Sequence, residues 1–95
     1  MHQTRPKTRY ERRLVGVTWV GERHNKYIAQ VRHHRKLYNL GFYEDRETAG
    51  RIRDVAAWLL QGPDAKTNYD GEPPPGVTEE DVRQMIDEIE RRWFD

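Results

Sequence analysis

Lys26, Ile28, Gln30 and Arg32 occupy alternate positions of Lys26-Tyr27-Ile28-Ala29-Gln30-Val31-Arg32, and in an extended strand alternate positions share one face. These four side chains have the chemistry of a nucleic-acid reader. Lysine and arginine neutralise phosphates; arginine also pairs with guanine, glutamine with adenine, and an aliphatic group meets the thymine methyl. More cations flank the segment: Arg12, Arg13 and Arg23 before it, Arg35 and Lys36 after it, with His24 next to Arg23. The small net charge of +1 conceals this grouping. Residues 1–36 hold ten Lys/Arg against two acids, a local charge of +8, whereas residues 37–95 hold seven against fourteen, a local charge of −7. A polyanion-binding half on an acidic support is the implied arrangement.

Other chemistries find less to work with. The chain has no cysteine, which excludes disulfides and thiolate metal sites. His24, His33 and His34 come without a nearby acid and are read as polar turn residues, so no metal or other cofactor is expected. The carboxylates near the C-terminal end have basic residues four positions away and read as a solvated helix face. With no phosphate-cradling glycine loop and no Ser/His/Asp set, no enzyme is expected. No apolar run is long enough to cross a bilayer, and no apolar stretch follows the charged residues at the start, so neither a membrane partner nor a secretory signal is expected.

The elements that must position the basic residues follow from local patterns, and together they predict an α+β fold. Residues 1–13 are a basic arm. Val15-Gly16-Val17-Thr18-Trp19-Val20, Lys26–Arg32 and Leu37–Phe42 read as three strands, joined so closely that they must be antiparallel. Tyr27, Ala29 and Val31 then share one face of the second strand and Lys26, Ile28, Gln30 and Arg32 the other; Tyr38 and Leu40 share one face of the third, and Leu37 and Asn39 the other. Asp45 is a predicted N-cap for a helix with Ala49, Ile52, Ala56 and Leu59 or Leu60 at helical spacing, ended by Gly62-Pro63. Its alanines allow close approach to the sheet, with Tyr27, Tyr38 and Trp58 filling the gaps. Residues 71–77, rich in proline and glycine, form a linker to a second helix over residues 78–95. Thr78 and Asp81 make a capping box there, Val77 and Val82 a hydrophobic staple, and Val82, Ile86, Ile89 and Trp93 an apolar stripe. The stripe is expected to fold back on the domain; the other reading is a protein partner or self-association through this helix.

Residues 14–69 resemble the Apetala-2/ethylene-response-factor family of DNA-binding domains. The resemblance is carried by Gly16-Val17-Thr18-Trp19, Lys26–Arg32, Leu40-Gly41-Phe42-Tyr43, Glu47, Ala49, Asp54-Val55-Ala56-Ala57, Gly62-Pro63 and Ala65-Lys66-Thr67-Asn68-Tyr69. It implies a domain over residues 14–70 whose three-stranded sheet packs one face on a helix and puts the other into the major groove of double-stranded DNA. It also implies a nuclear transcription regulator. On this implied face Thr18, Val20, Lys26, Ile28, Gln30, Arg32, Leu37 and Asn39 would point outward at bases or phosphates, with Arg12, Arg13, Arg23, Arg35 and Lys36 near the backbone. The family's members that read GC-rich boxes carry arginines and tryptophans along these strands. Val15, Thr18, Val20, Leu37 and Asn39 stand at the corresponding positions, which implies a different, less GC-rich site or a weak sequence preference. The alternative is a protein-interaction module of the same fold that has lost base reading.

Overall fold

In the computed structural model, which describes residues 14–21 and 26–93, the strands β1 (Val17–Val20), β2 (Lys26–His33) and β3 (Lys36–Tyr43) form one antiparallel sheet in that order. Alternation places Ala29, Val31, Tyr38 and Leu40 in the core and leaves the opposite face to solvent. The first strand starts two residues later than its β-branched run predicts. Gly16 has φ +74 and its carbonyl accepts the Gln30 N–H at 2.8 Å, so Val15-Gly16 is a turn leading into the strand. A Cβ at Gly16 would stand 2.4 Å from the Gln30 carbonyl oxygen, which leaves room for glycine alone.

Two further departures from the sequence pattern shape the outer face. Ile28 pairs with Phe42 while Gln30 pairs with Asn39, so β3 has one residue more than β2 over this stretch. Gly41, at φ +107, absorbs the resulting bulge. Leu40 therefore points into the core while Phe42 comes out beside Ile28, on the opposite face from the one that simple alternation with Leu40 gives it. The β2–β3 connection is also shorter than the polar run His33–Lys36 suggests. Only His34 and Arg35 form the turn, both at positive φ (52° and 67°), as a tight hairpin with the twist of its strands requires. His33 and Lys36 are paired strand residues.

Helix α1 (Arg46–Gln61) begins where predicted: the Asp45 carboxylate accepts the Thr48 N–H at 2.9 Å. It ends at Gly62, φ +83, whose N–H reaches the Trp58 carbonyl, and Pro63 follows in a short 3-10 turn. Its buried face is wider than the predicted stripe, adding Gly50, Arg53, Asp54, Val55 and Ala57 to Ala49, Ile52 and Ala56. Trp58 does not fill the core as expected. It lies on the side of the helix away from Ala56 and is 48% exposed. Asp54, fully buried, accepts the backbone N–H of Asn68 (2.9 and 2.7 Å to its two oxygens), the Asn68 side-chain amide (3.1 Å) and the Tyr69 N–H. Asn68 in turn exchanges two hydrogen bonds with the backbone of Val15, at 2.8 and 3.1 Å, so one node joins helix, following loop and the entry to β1.

Helix α2 (Glu79–Trp93) starts with both bonds of the Thr78/Asp81 capping box, at 2.9 and 3.1 Å. Its stripe folds back on the domain. Val82 and Ile86 are buried in the core shared by the sheet and α1, with Val77 and Ile89 packed against it. Among the acids with a basic residue four positions on, Glu79 pairs with Arg83 at 2.9 Å, whereas Asp87 with Arg91 and Glu88 with Arg92 form no ion pair. The end of α2 meets β3 through Tyr38, whose hydroxyl donates to Glu90 at 2.7 Å and whose ring meets Trp93 edge-on at 4.9 Å.

Burial, then the Glu90 hydrogen bond and the Glu90 charge, raise the Tyr38 phenol from 10.0 to about 12. The unfolded chain releases that proton first, so this stabilisation is whole below pH 10.0 and is lost as pH rises through about 12. Tyr43 and Tyr69 are shifted up as well, mainly by burial, so part of the alkaline loss belongs to them. Tyr38→Phe should therefore flatten, without abolishing, the fall in melting temperature between about pH 10 and about pH 12. Parallel curves for the two proteins, followed by circular dichroism, would count against the Tyr38–Glu90 contact as the source.

Candidate nucleic-acid interface

The outer face of the sheet is a ladder of cross-strand neighbours. Val20 stands beside Lys26; Thr18, Ile28 and Phe42 form the next row; Gln30 and Asn39 follow, and Arg32 and Leu37 close the ladder near the hairpin turn. Eight of the residues expected on this face from sequence (Thr18, Val20, Lys26, Ile28, Gln30, Arg32, Leu37 and Asn39) are thus brought together. All are exposed or half-buried, in contrast to the buried Ala29, Val31, Tyr38 and Leu40 behind them. Arg35 is exposed at the turn beyond the last row. Arg12, Arg13, Arg23 and His24 lie outside the described residues.

Lys36 is placed differently. As the partner of His33 it belongs to the face carrying Tyr38, and its ammonium lies 4.9 Å from the centre of the Trp93 ring. A cation over an indole face is held there by the ring quadrupole. Lys36 is therefore at the helix-side rim, away from the ladder. Trp19, which follows Thr18, also faces the other way and tilts against Tyr27 with ring centres 4.8 Å apart.

Several contacts make the ladder a rigid surface. The Gln30 N–H is tied to Gly16, and the Arg32 carbonyl accepts from the Gln61 side chain of α1 at 3.1 Å. The Asn39 side-chain oxygen accepts the Gly41 N–H at 3.1 Å, which fixes that side chain against the bulge and leaves its NH2 as the donor for a ligand. His33 and His34 stack with ring centres 3.8 Å apart at the turn. A residue in the left-handed region costs roughly 1–2 kcal/mol when it is not glycine, and the hairpin has two, His34 and Arg35.

Cations of this domain divide into those with a carboxylate beside them and those without, and the sheet cations belong with Lys66, Arg91 and Arg92 in the second group among the described residues. Arg51 pairs with Glu47 at 2.8 Å, Arg53 with Asp54 at 3.7 Å and Arg83 with Glu79 at 2.9 Å. Among the described residues no carboxylate comes within ion-pair distance of Lys26, Arg32, Arg35 or Lys36. Among the described residues, then, no carboxylate neutralises the positive charge of Lys26, Arg32 and Arg35. Also among the described residues, no group of His, Asp and Glu is arranged to hold a metal ion, and no helix is long and apolar enough to cross a membrane.

Phe42 is the member of the ladder that alternation from Leu40 would put on the core face. The local sign was Gly41 inside a strand, a position where bulges are common. The two-residue turn had no such sign, since His34-Arg35 is not a typical pair for left-handed backbone. No protein-family model and no curated protein matches this chain.

Proposed function

We propose that this domain binds double-stranded DNA in the major groove through the outer face of its sheet, and serves as the DNA-reading part of a nuclear transcription regulator. The observation that carries the reading is the ladder itself: Lys26, Gln30 and Arg32 in line on β2, Asn39 beside Gln30, and no internal counter-charge for the cations among the described residues. Three strands spaced about 4.8 Å apart present a surface roughly 10 Å across, which suits a major groove about 12 Å wide. The fourteen acids of residues 37–95 all follow Tyr43, so none belongs to the ladder, and the charge asymmetry favours a polyanion at the sheet. The resemblance of residues 14–69 to Apetala-2/ethylene-response-factor domains supports the same docking face. The reading needs no cofactor and no catalysis.

Selection from a randomised duplex library at near-physiological salt tests it, and an enriched motif is the expected result. Arg32→Ala should then cost about 1–3 kcal/mol and relax the preference at one base pair. If the substituted domain stays folded and binds the selected duplex unchanged, Arg32 is not a reader. The exposed Leu37 and Phe42 favour the second reading, a protein-interaction module of the same fold. Failure to retain any duplex at low salt would decide for it.

A further inference from the structure

We infer that the outer sheet face recognises pyrimidine C5-methyl groups in the major groove, those of thymine or of 5-methylcytosine. This inference rests on the duplex-binding reading and specifies its target chemistry. The ladder has more apolar surface than phosphate contact requires. Ile28 and Phe42 are cross-strand neighbours in one row, Leu37 lies beside Arg32 two rows on, and Val20 stands beside Lys26 at the other end. Leu37 is 42% exposed and Phe42 49% exposed.

Among the groups that a base pair presents in the major groove, the C5-methyl is the apolar one; the rest are donors and acceptors. Apolar side chains pressed onto those donors and acceptors would remove water from them without supplying a hydrogen bond, which is costly. Pressed onto methyls, the same side chains bury apolar surface. Between the Ile28/Phe42 row and the Arg32/Leu37 row stand the amides of Gln30 and Asn39. Glutamine suits the N6/N7 edge of adenine, and the NH2 of the bulge-held Asn39 can donate to O4 of thymine, O6 of guanine or a purine N7. Apolar rows therefore bracket a polar one. The four residue steps along β2 from Ile28 to Arg32 extend about 13 Å, which matches roughly four base-pair steps. The flanking Lys26, Arg32 and Arg35 make the face attractive to the phosphates on either side and unattractive to a purely apolar partner.

The test compares duplexes that differ only in the methyl. Alternating d(A-T) is measured against alternating d(A-U), and alternating d(G-C) against its 5-methylcytosine form, by fluorescence anisotropy with the full chain. Each methyl fully buried is worth roughly a fourfold change, so two or three contacts predict roughly fifteen- to sixtyfold tighter binding to the methylated member of a pair. Preference within the first pair assigns thymine, and preference within the second assigns 5-methylcytosine. Ile28→Ala combined with Leu37→Ala should shrink the ratio of affinities within the preferred pair several-fold; an unchanged ratio in a variant that circular dichroism shows to be folded would overturn these two side chains as the methyl contacts. Equal binding within both pairs overturns the methyl inference and leaves duplex binding standing. No binding to any of the four duplexes overturns both.

Discussion

Asp54→Ala is expected to destabilise the domain by about 3–5 kcal/mol, the range found when one member of a buried ion pair is removed. The carboxylate is fully buried and accepts from three donors: the Asn68 N–H, the Asn68 side-chain amide and the Tyr69 N–H. Without it those donors are left in a dry environment, and each unsatisfied group costs about 1–3 kcal/mol. Arg53 makes the loss worse. It is 6% exposed, donates to the Lys66 carbonyl and depends on Asp54 for its nearest negative charge, at 3.7 Å. Burial lowers the Arg53 pKa while the Asp54 charge raises it, so removing Asp54 removes the group that favours the charged form. The node also holds Asn68, which clamps the backbone of Val15 just before Gly16 and the first strand. A small domain has a total stability of only about 5–15 kcal/mol, so the variant should be largely unfolded at modest temperature. Urea unfolding at neutral pH measures this directly. A change below about 1 kcal/mol would show that solvent takes over the donors and that the node is not buried in the folded ensemble.

That node is also where reading the sequence stopped short. Strand and helix positions were legible because their signals are local: alternation in Lys26–Arg32, Asp45 and Thr78 as caps, Gly62-Pro63 as a stop. The membership of Thr18, Ile28, Gln30, Arg32, Leu37 and Asn39 in one face follows from the same alternation. Asp54 and Asn68 are 14 positions apart and belong to no period, so nothing in the chain announces that they meet. The inward turn of Lys36 depends on the loop using only His34 and Arg35. One residue more in that turn would have put Lys36 on the other face, because strand side chains alternate with a period of two. Phe42 depends on the bulge in the same way. Trp58 and Trp93 show the limit of residue type as a guide. Both are large and apolar, yet Trp58 is left outside by its phase on α1, while Trp93 closes the contact between α2, Tyr38 and Lys36.

Reversing two charges on β2, Lys26→Glu together with Arg32→Glu, is expected to weaken duplex binding by roughly 100-fold or more, since each contact is worth about 1–3 kcal/mol and a carboxylate adds repulsion. Both residues are on the solvent side of the sheet and have no ion-pair partner among the described residues, so the fold has nothing to lose from the exchange. The same net change placed elsewhere is the necessary comparison. Arg91→Glu with Arg92→Glu alters total charge equally, on the exposed side of α2. At physiological ionic strength charges are screened over about 8 Å, so that pair should change binding only a few-fold. Salt titration separates the roles further. A domain that holds four phosphates loses roughly 100-fold in affinity between about 50 and about 200 mM salt, and each phosphate contact removed lowers the slope by about one. If Lys26 touches phosphate and Arg32 touches a base, the β2 double variant should lose one unit of slope and its preference at one base pair. If both touch phosphate, it should lose two units and keep its preferences. Equal weakening by the β2 and α2 pairs would mean that only net charge matters. The ladder would then be an ordinary wet sheet face, and its regular placement of Lys26, Gln30 and Arg32 would have no part in recognition.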